Sequence, residues 1–142
     1  MALILLLHAA STLMMTGLIW FVQIVHYPLF PFAAIGDFRR FAVDHQRRTA
    51  MVVGPLMLVE AGTATWLLAA SNSDPLAWGG WILLLSIWLS TAFFQMPLHQ
   101  RLAQGFDAQV ARRLVFTNWW RTLAWTVRAV LASHMLALAI SA

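Results

Sequence analysis

Cysteine is absent from the 142 residues, which excludes disulfides, iron–sulfur clusters and thiolate-held metals. Lysine is absent as well, so every basic side chain apart from histidine is an arginine. Charge of either sign is scarce: charged residues make up 10% of the chain, against about a quarter in an average soluble domain. The long apolar runs do not alternate in period two, which excludes a transmembrane β-barrel. No basic residue precedes Leu3, and the first apolar run is too long for a cleaved signal core, so it reads as a retained helix.

What the chain does have is hydrophobicity, at 61% of residues, gathered into four runs of membrane-crossing length. They predict an all-α, four-helix transmembrane bundle in one domain over 1–142, with helices at about 2–27, 45–70, 77–99 and 113–140. Short connections make consecutive helices antiparallel, in an up-down-up-down order. Arginines follow the first run (Arg39, Arg40, Arg47, Arg48) and the third (Arg101, Arg112, Arg113, Arg121), and none lies in Ser71–Trp78. By the positive-inside rule those two loops are cytoplasmic and both termini external, in a bacterial-type inner (plasma) membrane. Arginines so close to lipid read as topology determinants and phosphate anchors rather than as a nucleic-acid patch.

The polar residues inside these runs carry the functional argument, because an ionisable group in hydrocarbon is costly and needs a reason. In the first run His8, Thr12, Thr16, Gln23 and His26 recur at helical spacing along one face, and Gly17 permits a close approach on a neighbouring one. Tyr27-Pro28 and Pro31 are expected to end that helix. Asp37-Phe38-Arg39-Arg40-Phe41 reads either as an interfacial amphipathic helix or as the start of the second helix. Pro55 should kink the second helix. Trp78 and Trp81 suit an interfacial belt, whereas Trp88 lies deeper and is expected to pack inside. In the fourth run Asn118, Arg121, Trp125 and Arg128 form a seam, with Arg121 near enough to the end to snorkel.

Three layers of candidate chemistry follow. His26, His45 and His99 fall at matching depth with Gln23, Gln95 and Asn118. Three imidazoles there could ligate zinc, iron or copper, with Asp44 behind them, or simply bind headgroups and loop carbonyls. Deeper, Glu60 and Arg128 are natural counter-ions. They form either a structural pair or, with Arg121, a catalytic set that relays protons or anchors an anion. Towards the opposite end, His8 and His134 are candidate axial ligands for haem b.

The layout of the chain resembles the HemJ-type protoporphyrinogen oxidases and related CopD-like four-helix membrane proteins. The matching features are His8, Trp20-Phe21 before His26-Tyr27-Pro28, Arg48 ahead of Pro55, and His99 closing the third helix. The resemblance implies a haem-associated membrane oxidoreductase with His8 as axial ligand. The function expected is thus a small membrane oxidoreductase or oxygenase acting on an apolar small molecule through a histidine-held metal or haem. Its rivals are a non-enzymatic accessory or assembly subunit of a larger membrane complex, and a small transporter that works as a homo-oligomer.

Overall fold

The computed structural model describes residues 1–34, 36–71 and 74–141. It is a bundle of four helices, α1 (Ala2–Ala33), α2 (Phe38–Ala70), α3 (Pro75–Leu102) and α4 (Ala108–Ser141), each long and apolar enough to cross a membrane. Asn72 and Ser73, in the turn expected to be external, lie outside the described residues.

Asp37, Asp74 and Asp107 start the last three helices. Their carboxylates accept from the backbone N–H groups of Arg40 (3.1 Å), Leu76 (2.9 Å) and Gln109 (2.7 Å), donors that the first helical turn leaves unpaired. Asp37 therefore makes Phe38–Phe41 the first turn of α2, not a separate interfacial helix. Likewise α4 starts at Ala108, earlier than its apolar run suggests. Gly105, at φ 150°, supplies the turn between α3 and α4 that a side chain would strain.

The prolines act differently from expectation. Tyr27-Pro28 and Pro31 do not stop α1. Its α-helical part ends at Phe21, widens into a π turn over Val22–His26, tightens over Tyr27–Leu29 and resumes as far as Ala33. The same device recurs in α3, where a π turn at Thr91–Gln95 precedes Pro97. A wide turn just before a proline gives its ring room and absorbs the missing N–H, so the chain stays helical. Both π turns lie at the arginine-bearing end, and they carry Gln23 and Gln95. α2 runs on as one helix through Pro55.

The helices form a ring in which α1 packs against α2 and α4, α4 packs against α3, and α2 and α3 touch least. Met15, Ile19, Ile87 and Trp125 fill the centre; Tyr27, Phe30, Leu98, Leu102 and Leu114 fill the arginine-bearing end. Large apolar side chains such as Leu58, Phe93, Phe116 and Ile140 point outward, while Thr12, Gln23, Glu60, Asn118 and Arg128 are buried. That inside-out distribution is what a lipid solvent requires, because hydrocarbon offers polar groups no partner. Two expectations fail here. Trp88 is 38% exposed rather than packed inside, and a Cβ placed on Gly17 would meet nothing within 4 Å.

Candidate functional site

Glu60 and Arg128 meet in the middle of the bundle. Arg128 Nε donates to Glu60 Oε1 at 3.0 Å, and both side chains are buried. Thr12 Oγ1 (3.0 Å) and Trp125 Nε1 (3.0 Å to Oε2) also donate to the carboxylate, and Arg128 Nη1 donates to the carbonyl of Gly80. The carboxylate thus ties α1, α2 and α4 together through three donors from the protein. This arrangement suits a structural lock.

His8 adjoins that lock. Thr63 spends its hydroxyl proton on the carbonyls of Val59 and Glu60, so its oxygen accepts from His8 Nδ1 at 3.0 Å. That fixes the tautomer and leaves Nε2 bare. The cavity beside it, bounded by Gly80, Trp81 and Arg128, is about 10 Å³, the room of a single water and not of a porphyrin. His134 is exposed on α4 and does not line that cavity. The residues present do not fit a haem held between these two histidines.

At the arginine-bearing end the three remaining histidines come together around Phe30. His26 Nε2 and His45 Nδ1 are 2.9 Å apart, and His99 Nε2 is 2.9 Å from the hydroxyl of Tyr27. The rings of His45 and His99 lie 5.5 Å apart, and Phe30 abuts both at 5.3 and 6.4 Å. Proximity is as expected, but the nitrogens do not converge on a common centre. Two imidazoles sharing a zinc at about 2.0–2.1 Å would hold their nitrogens ~3.3 Å apart, with both lone pairs on the metal. Here the facing nitrogens hydrogen-bond to each other, so one must carry a proton. Among the described residues no group of three or more histidines and carboxylates is arranged to hold a metal ion. Asp44, expected behind such a site, is exposed instead.

Beside the histidines lies a cleft of about 520 Å³, within the range of small-molecule sites. Its walls are mostly apolar, including Met15, Ile19, Val53, Met57 and Met96, and its polar end carries Tyr27, His45, Gln95, His99 and Arg121. Exposed Arg47, Ala50, Met96 and Gln100 line its mouth, so it opens sideways between α2 and α3, the most loosely packed neighbours. A second, shallower groove of about 480 Å³ lies outside, bounded by His26, Arg40, Asp44 and Arg48. His45 and Thr49 belong to both, so the His45 ring is part of the wall between groove and cleft.

Arg121 does not snorkel; only 7% of it is exposed. A chain of amides of fixed polarity holds it. Gln23 Nε2 donates to the carbonyl of Val115 (3.1 Å), which forces Gln23 Oε1 to accept from Asn118 Nδ2 (2.8 Å). Asn118 Oδ1 is then left to accept from Arg121 Nη1 at 2.9 Å. The guanidinium carbon lies 5.1 Å from the centre of the Trp125 ring, within cation–π range. No carboxylate reaches it: among the described residues the one ion pair is Glu60–Arg128. Among the described residues its Nε has no partner, and neither do Oε1 of buried Gln95 and Nη2 of Arg128.

Two of these residues had weak signals in the sequence. Tyr27 read only as a helix terminator, although it is the single tyrosine and adjoins His26. Gln95 read as a companion of His99 rather than as an acceptor without a donor. No protein-family model, curated protein or solved structure matches this chain, so its functional reading rests on its own residues.

Proposed function

We propose that the protein is the substrate-binding membrane part of an oxidoreductase. Its substrate is an apolar small molecule with an oxygen-bearing head, entering from the bilayer between α2 and α3. The observation that carries this reading is Arg121, a buried guanidinium without a carboxylate at the polar end of an apolar cleft. A lone buried charge is expensive, and a ligand head that shares it is the simplest reason to keep it.

Oxidising such a head removes two electrons and two protons. This chain supplies the proton side. The Tyr27–His99 pair stands at the polar end of the cleft, and His45, in the same wall, hydrogen-bonds to His26 at the outer groove. A neutral imidazole can accept a proton at one nitrogen while giving one up from the other, so hydrogen-bonded pairs of this kind can pass a proton along. The electrons go to a redox centre of a partner subunit in a larger membrane complex, a place compatible with the accessory role as well. The arginine-bearing end is assigned to the cytoplasmic face of a bacterial-type inner (plasma) membrane, with both termini external, on the arginine asymmetry alone.

The test is what the purified protein carries. Organic extraction and mass spectrometry of detergent-solubilised wild type should recover an apolar, oxygen-bearing compound in stoichiometric amount. Gly54→Phe should lose it, because Gly54 lines the cleft and an added Cβ there meets nothing within 4 Å. Equal recovery from both proteins would place any such compound outside the cleft and overturn the reading.

A further inference from the structure

Two orphaned atoms describe the ligand more narrowly than the cleft does. Arg121 Nε is a donor with no acceptor, and Gln95 Oε1 is an acceptor with no donor; both residues are buried in the cleft wall. The Gln95 amide cannot be turned round to cure this. Thr117 gives its hydroxyl proton to the carbonyl of Arg113 at 2.8 Å, so its oxygen must accept, and Gln95 Nε2 donates to it at 3.0 Å. The amide oxygen is thereby directed away from Thr117.

The geometry points to a ligand head that accepts from Arg121 and donates to Gln95, which is a hydroxyl on an aromatic ring: a phenol or the reduced, quinol form of a quinone. This rests on the cleft being the substrate site. A carboxylate or a quinone carbonyl satisfies Arg121 but brings no proton for Gln95. An ammonium brings protons but meets the guanidinium's like charge. A hydroxyl does both, and one on an aromatic ring keeps its proton for Gln95 until the ring is oxidised. A flat ring also suits the apolar space between Met15, Met57 and Met96.

Three probes with the same decyl tail separate these heads: a decyl-benzoquinol kept anaerobic, its quinone, and 4-decylbenzoate. Each is titrated into the full-length protein in detergent by calorimetry. The quinol should bind about tenfold tighter than either of the others, the worth of one hydrogen bond to a buried group. Gln95→Leu should erase the quinol's advantage over the quinone. Gln95→Glu, which keeps an acceptor and guards against a folding defect in the first variant, should keep that advantage while weakening benzoate further. Arg121→Gln should weaken both quinol and benzoate. If the quinone or the benzoate binds wild type as well as the quinol, or if Gln95→Leu leaves the ratio unchanged, the head is not a hydroxyl. If no probe binds, water occupies the polar end, and the cleft is not a substrate site at all.

Discussion

Arg121 and Arg128 stand seven residues apart on the buried seam of α4, and their charges are met in opposite ways. Arg128 has Glu60 at 3.0 Å; Arg121 has an amide, the nearby Tyr27 hydroxyl, an indole face and an open cleft. One helix thus carries a charge that holds the fold and a charge that the fold itself does not neutralise.

The first prediction concerns the lock. Glu60→Ala should cost about 3–5 kcal/mol, because it strands Arg128 in an apolar interior. Arg128→Met should cost a similar amount, since the carboxylate keeps only Thr12 and Trp125. Glu60→Gln should cost less than either, as an amide still accepts one of these donors. The double variant Glu60→Leu/Arg128→Met should fall well short of the sum of its singles. Thermal unfolding in detergent reads all of these, and simple additivity would show that the pair is uncoupled.

Arg121 should behave as the opposite case. Arg121→Met removes a charge that no carboxylate among the described residues neutralises, which offsets the donor lost to Asn118. Its stability should stay within about 1 kcal/mol of wild type, measured in the same melts, while retention of the apolar ligand falls. A loss comparable to that of Arg128→Met would make Arg121 structural.

The sharing of His45 by cleft and groove is testable with a chemical probe, helped by the absence of native cysteine. In Val53→Cys the thiol lies in the cleft wall. It should react with a membrane-soluble maleimide and resist a charged, water-soluble one. Adding His45→Ala should admit the charged reagent and raise its labelling rate several-fold. Equal protection in both backgrounds would mean that the His45 ring does not separate the two spaces.

Tyr27→Phe isolates the hydroxyl facing His99. One hydrogen bond is lost, worth about 1 kcal/mol in a melt, and ring packing against Phe30 is kept. Turnover of a bound quinol by a soluble ferric acceptor, followed by the reduction of that acceptor, should drop about tenfold or more. Unchanged turnover would remove the Tyr27–His99 pair from the proton path.

Orientation has its own test. Reporter fusions at both termini should report the external side, and one inserted after Gln104 should report the cytoplasm, as the arginine asymmetry requires. A cytoplasmic C-terminus would reverse the assignment and put the histidine end outside.

By itself the sequence determined the class of fold and the level of each polar group along its helix. Length and continuous hydrophobicity leave few options in lipid, where each backbone group must be paired within its own helix. Period 3.6 then put Thr12, Gln23, Glu60, Asn118 and Arg128 on inward faces, because outward placement has no polar partner. The Glu60–Arg128 contact followed from the scarcity of other deep charges. Tertiary structure decided the rest. Whether three histidines at one depth face an ion or each other depends on rotations that two π turns set, and proline spacing alone does not reveal a π turn. Arg121, which by position could have reached the surface, is held inside because Gln23 and Asn118, from two helices, agree in hydrogen-bond polarity with the carbonyl of Val115. The cleft exists because α2 and α3 are the neighbours that pack least, and packing between separate helices is a property of the whole ring rather than of any one segment.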